Sequence, residues 1–222
     1  MSATPARYAP TPRTTPVRNA DRAGYDRALV HAVLDAEYLC HVGFVADGAP
    51  VVLPTLYARA EDRLYLHGSS GARLMRIARE GGVDVCVTVT CLDGLVLARS
   101  AMHHSANYRS VVAHGTAHRV ADEREARGAL DRILDHVVAG RAADVRPPSA
   151  KELAATGVLR LDLAEVSAKV RSGGVNDEPQ DRDLPHWAGV LPVRRTVGAP
   201  EPDPELSDGV ALPAYLEPYR AG

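Results

Sequence analysis

The sequence contains no apolar run that approaches the roughly 20 residues a membrane-spanning helix needs. It also lacks a block of basic residues. With a formal net charge of −2, there is no electrostatic footprint for a phosphate backbone, and nucleic-acid binding is not expected. Lysine is almost missing: only Lys151 and Lys169 occur, and arginine carries the positive charge. The cysteines, Cys40, Cys86 and Cys91, are odd in number and lack metal spacing, which fits a reduced compartment better than a disulfide framework. The first residues show no hydrophobic segment of the secretory kind, so a cytoplasmic protein is expected. There is no G-x-S-x-G elbow, Walker lysine, dinucleotide fingerprint or hydrolase-type Cys/His pair. Nine histidines are present, but their spacing does not gather. His103 and His104 are neighbours and would face opposite ways on a strand, while His114 and His118 lie four residues apart on one. No metal site is expected, and no internal repeat is found.

What is present is a 222-residue chain that is 45% apolar, enough for one domain with tails. Residues 1–19, rich in Pro, Thr and Ala, read as a flexible arm or a strap lying on another surface. Residues 20–37 carry apolar positions at helical spacing, with Asp21 as the expected cap. Strand patterns then dominate. Residues 38–46 and 50–58 flank Asp47-Gly48, the favoured two-residue hairpin turn. Pro54 cannot donate to a ladder, so it marks a bulge or an edge. Val83, Val85, Val87 and Val89 alternate with polar residues as a half-buried strand should. Asp93-Gly94 is expected to turn this strand back on itself through residues 95–101. A polar loop at 103–107 leads into a long strand over 108–120. A helix over 122–138 is expected, capped by Asp122 with Glu125 completing a box and with Leu130, Ile133, Leu134, Val137 and Val138 as its stripe. A short helix near 151–156 and a last strand running from 158 to 170 follow. Residues 176–222 are Pro-rich and acidic, and read as an extended tail. Six or seven strands joined mostly by hairpins, with flanking helices, predict a mainly β antiparallel barrel spanning 20–175 rather than a parallel α/β sheet.

The stretch 63–79 carries the most chemistry. It reads as a strand, a turn at Gly68-Ser69-Ser70-Gly71 in which glycine supplies φ > 0, and the start of a helix. A helix start has unpaired N–H groups and partial positive charge. Beside the hydroxyls of Ser69 and Ser70 and the guanidiniums of Arg73 and Arg76, it suits a phosphate monoester; the alternative is that Ser70 caps an ordinary helix. Lys169 and Arg171, two residues apart, share a strand face, either as a solvated edge pair or as ligand contacts. Trp187, the only tryptophan, lies in a polar segment and needs a docking place: its own barrel, a partner subunit or a flat cofactor.

Taken in order, V-V-L-P-T-L-Y-A (51–58), R-L-Y-L-H-G-S-S-G-A-R (63–73), N-Y-R-S-V-V-A-H-G-T-A (107–117) and E-V-S-A-K-V-R-S-G-G (165–174) resemble the flavin-nucleotide-binding proteins of the pyridoxamine 5′-phosphate oxidase-like superfamily, in the branch that includes the nitroimidazole-resistance reductases. The resemblance covers residues 20–190. It implies a split β-barrel that binds FMN non-covalently as a homodimer, with the flavins at the subunit interface. His67, Gly68, Ser69, Ser70 and Arg73 match the family's phosphate-binding turn. Pro54, Thr55, Leu56 and Tyr57 match the strand that lines the isoalloxazine. Tyr108, Arg109, Ser110 and Val111 match the segment that approaches the flavin. Lys169 and Arg171 match the basic end of the last strand, and Trp187 is a weaker match in the tail. The arginine-rich pattern around a tryptophan in true pyridoxamine phosphate oxidases is not found after Trp187, which argues against vitamin B6 oxidation. The implied activity is electron transfer from a reduced nicotinamide or deazaflavin to a small oxidised acceptor. A flavin store or sensor without turnover is the alternative. A haem-binding split barrel is a further one, with His67, His103 or His114 as iron ligand.

Overall fold

The computed structural model describes residues 6–219. In chain order its elements are β1 (Ala23–Gly24), α1 (Arg27–Ala36), β2 (Leu39–Ala46), β3 (Ala49–Ala60), β4 (Arg63–Ser69), α2 (Arg73–Ile77), β5 (Val83–Leu97), β6 (Ser105–Arg119), α3 (Glu123–Val137), α4 (Ala150–Ala155), β7 (Thr156–Asp162), β8 (Glu165–Arg171) and β9 (Gly189–Pro192). All ladders are antiparallel, in the order β1-β8-β6-β7-β4-β3-β2-β5-β9, and an additional β5–β6 pairing closes the strands from β6 round to β5. Six strands therefore form the barrel expected from the hairpin pattern. The short strands β1 and β9 and the longer β8 extend it.

Alternation fills the interior. Val83, Val85, Val87 and Val89 are all buried facing inward, with Val42, Leu64, Leu66, Leu159 and Leu161 from neighbouring strands. Each such side chain contributes about 1.5–3 kcal/mol of burial. Helix α1 packs on this core through Val30, Val33 and Leu34. Helix α3 packs on the outside of β3, β4 and β7, where Ala129 and Ile133 meet Ala58, Tyr65 and Val158.

Several expectations are corrected. The first long helix begins at Arg27, not near Asp21, because Ala23–Gly24 is drawn out to pair with Ala168 and Lys169 of β8. Asp93-Gly94 is not a turn: β5 runs through it with a register shift, so residues 95–97 continue the same strand. A Cβ at Gly94 would lie 3.1 Å from Val190 and 3.2 Å from the Leu191 carbonyl, so glycine here admits β9 at close range. The last strand is two, β7 and β8, which pair with different neighbours. Asp122 caps α3 by accepting from the Glu125 N–H (2.7 Å), but the Glu125 carboxylate turns away to Tyr65 and Arg160, leaving the box half formed.

The described part of the arm is a strap on its own barrel. Tyr8 is buried; its hydroxyl donates to Asp62 (2.6 Å) and sits 2.9 Å from His31 Nε2. Tyr25 donates to the Thr14 carbonyl at 2.9 Å. Residues 1–5 of the arm lie outside the described residues. At the other end, residues 193–213 run without regular structure. Arg195 anchors them by an ion pair with Glu37 and by stacking over the Tyr38 ring.

Candidate functional site

The outward side of the barrel is open over β3, β2, β5, β6 and β8. Register pairs run in a row from Pro54 to His41, Thr88, Val112 and Ser167. Pro54 lies on the half of β3 that pairs only with β2, so it stands at an edge. Tyr108 and Ser110 share the outward side of β6 and pair across to Arg171 and Lys169 of β8. Ser110 donates to the Lys169 carbonyl (3.3 Å). Arg171 is fixed by donating to the Asn107 side chain and to the Gly174 carbonyl (3.2 Å). These four residues, all expected from the sequence, are brought together. Pro54 is not among them: from Pro54 to Val112 is three strand spacings, about 14 Å, and Ser110 lies further along β6.

Other expected residues face elsewhere. Tyr57 is fully buried in the core, donating to the Leu34 carbonyl at 2.5 Å. Val111 is buried on the same inner side, and Thr55 pairs with buried Cys40. Arg109 forms a two-point pair with Asp93 (2.9 Å on each arm), which raises the guanidinium's pKa and lowers that of the carboxyl. Trp187 lies against Gly189, where a Cβ would come within 2.8 Å of its ring, and is 66% exposed.

The serine-glycine turn differs from expectation. Strand β4 continues through Gly68 to Ser69, and neither Gly68 nor Gly71 adopts a positive φ. The smallness of Gly68 and its partner Gly157 instead makes room for Met75. Nor does the turn offer free backbone donors. The Ser70 N–H goes to the Ala155 carbonyl (2.8 Å), that of Gly71 to Ser69 Oγ (3.3 Å) and that of Ala72 to the Ser69 carbonyl (2.9 Å). Ala72, not Ser70, occupies the cap position of the five-residue helix α2. What remains for an anion is the exposed Arg73 and Arg76 side chains, the serine hydroxyls and the N–H groups of the first turn of α2.

His67 points away from this turn, into a cavity of about 480 Å³ between β3, β4, α3 and the segment that follows α3. That volume lies in the range of small-molecule sites. Its wall is mostly apolar, from Leu56, Leu130, Leu134, Val137, Val138 and Val145; Arg141, Arg146, Asp131 and Glu152 supply charge. His67 Nδ1 is buried without a hydrogen-bond partner, and burial lowers the imidazole pKa, so the ring is neutral at pH 7. Leu56 lines the cavity and lies two residues from Pro54 on the same side of β3, so the cavity borders the open sheet face. This cavity was not visible in the sequence. The signal was the α3 stripe, which is wider than the sheet beneath it can cover: Leu134 remains 41% exposed. Among the described residues, no three His, Cys, Asp or Glu side chains gather to hold a metal ion. No helix among them is long and apolar enough to cross a membrane.

Together these features define a split β-barrel with an open outer sheet face and an adjoining histidine cavity. The chain belongs to the pyridoxamine 5′-phosphate oxidase family, which it matches over residues 26–170. Among solved structures it is similar to the flavocytochrome Anf3 from Azotobacter vinelandii, at 42% identity and a TM-score of 0.89 over 97% of this chain and 100% of that one. It is also similar to an FAD and haem binding protein from Mycobacterium smegmatis, at 36% identity and a TM-score of 0.84 over 90% and 97% of the two chains. A protein from Bacteroides thetaiotaomicron assigned to 5-nitroimidazole antibiotic resistance shares the fold, at 23% identity and a TM-score of 0.56 over 67% and 86%. No functionally curated protein matches the chain.

Proposed function

We propose that this chain is a redox protein that binds a flavin on its open sheet face and a haem in the adjoining cavity, with His67 as iron ligand. The observation that carries the haem reading is His67 itself: a neutral imidazole on the wall of an apolar cavity of about 480 Å³. The names of the two relatives with 42% and 36% identity, a flavocytochrome and an FAD and haem binding protein, support the same pairing.

When bound, flavin supplies hydride and single-electron transfer, and haem supplies single-electron chemistry. The residues here supply placement and charge. Lys169 and Arg171 put two cations beside Tyr108 and Ser110 on one sheet face, suited to the negative charge of a reduced flavin. Arg73, with Ser69 and Ser70, is the candidate for the flavin phosphate. The apolar residues of α3 keep water from the His67 ring, and its low pKa keeps the lone pair available. The sequence led to FMN; the name of the M. smegmatis relative favours FAD, and chromatography of heat-released flavin separates the two.

The flavin site is completed by a second copy of the chain in this reading. Pro54 and the Tyr108–Arg171 group are too far apart in one protomer to grip one ring system. Leu39, Val45, Val52 and Leu92 are exposed on the same outward side, as an interface would require. Reduced nicotinamide or deazaflavin is the proposed donor and a small oxidised molecule the acceptor. Titration of the cofactor-free protein with haemin tests the haem half. The wild type is expected to give a Soret band at one equivalent, and His67→Ala to lose it. A Soret complex of equal strength in the variant would exclude His67.

A further inference from the structure

We propose that Arg141 anchors a carboxylate of the porphyrin in the His67 cavity, and that Tyr215, from the C-terminal tail, is the residue that positions it. This rests on the haem reading above and adds the side of the ligand that lies away from the iron.

Two arginines border the cavity, and they differ in what they have left to give. Arg146 is committed to Glu152: its two terminal nitrogens hold both carboxylate oxygens at 2.8 and 2.6 Å, and one also donates to the Pro147 carbonyl. Arg141 is held by one terminal nitrogen only, which donates to the Tyr215 hydroxyl at 2.9 Å and lies 3.5 Å from Asp144. Among the described residues, its other nitrogens have no partner. The Tyr215 hydroxyl in turn donates to Asp144 at 2.7 Å, so carboxylate, phenol and guanidinium form a chain that fixes the cation from one edge. The Tyr215 ring lies against Gly140, whose φ of +88° and closeness to the ring (3.5 Å from an added Cβ) suit glycine there. Behind Arg141, the tail arches over a second cavity of about 690 Å³, which Arg141 also lines. Arg141 thus lines both cavities, tied to the tail through one terminal nitrogen and with its other N–H groups left for an anion. An apolar body with a neutral imidazole at one point and a half-used guanidinium at another selects a flat apolar ligand that carries both a metal and a carboxylate.

The test uses metal-free protoporphyrin IX, which needs no iron ligand, and its dimethyl ester, which lacks the carboxylates. Each is titrated by fluorescence into the cofactor-free full-length protein. The wild type is expected to bind the acid about tenfold or more tightly than the ester, as a charge-assisted contact implies. Arg141→Gln brings the two to parity; Arg146→Gln keeps the preference. Tyr215→Phe, with an unchanged melting temperature, loses part of it. A chain ending at Pro213 removes the hydroxyl by another route and is expected to match, which keeps the Tyr215 claim testable should the single variant fold poorly. Equal affinity for acid and ester in the wild type, or an undiminished preference in Arg141→Gln, overturns the proposal. The underlying reading fails separately: a wild type that binds neither haemin nor porphyrin contradicts the haem site, whereas one that binds haemin through His67 and treats acid and ester alike contradicts only the role of Arg141.

Discussion

His67 shows how far a single residue can be read. Its place at the end of a strand was legible, and the family resemblance grouped it with the phosphate turn that follows. Its surroundings were not legible, because the cavity wall comes from α3 and the segment after it, some 60 residues further along the chain, where no local signal refers back to His67. Asp177 is a similar case in an irregular segment that carries no pattern. It is buried, and burial alone would raise its pKa, yet hydrogen bonds from the Arg99 guanidinium (2.8 Å) and backbone (3.1 Å) hold it below the ordinary carboxylate range. A folded pKa below the unfolded one, about 3.9, gives stability that is present above that pH and is lost as pH falls through the folded value. Asp177→Asn is therefore expected to melt a few degrees below the wild type at neutral pH, with the gap narrowing as the pH falls below the ordinary carboxylate value. A gap that does not change with pH would mean the charge of Asp177 is not what ties residues 175–182 to Arg99, just past the end of β5.

The same dipeptide behaves in two ways at the scale of elements. Asp47-Gly48 makes the expected turn, with φ of 52° and 77°, between β2 and β3, which pair throughout. Asp93-Gly94 does not turn, because its surroundings decide: Arg109 on β6 holds the Asp93 carboxylate, and β9 packs against Gly94. Both partners lie elsewhere in the chain, and local propensity cannot show them. The clean alternation of the first part of β5 was legible for the opposite reason, since one face is core from Val83 to Cys91. Gly94→Ala is expected to push β9 off the edge of β5 at a cost of about 1–3 kcal/mol. Amide exchange at Val190 and Leu191 would rise while that of the barrel strands stays slow; unchanged protection of β9 would show that the bulge tolerates a side chain.

For the whole molecule, the barrel and its family were legible because strand alternation and ordered motifs extend over most of the chain. The division of labour between its two outer surfaces was not. One surface is covered by α3 and encloses the His67 cavity; the other lies open and is proposed to be covered by a second copy. Val52→Lys combined with Leu92→Lys places charge on that open face, where both residues are already exposed (63% and 47%). In sedimentation, the wild type is expected to run as a dimer and the double variant as a monomer with reduced flavin content. A double variant that still runs as a dimer would place the interface elsewhere. The central claim, one chain that carries two redox groups on either side of Leu56, is tested most directly by the absorbance spectrum of the protein as purified, beside that of His67→Ala. The account predicts flavin bands in both and a Soret band in the wild type alone; a wild type with flavin bands and no Soret band, even after haemin is supplied, would contradict it.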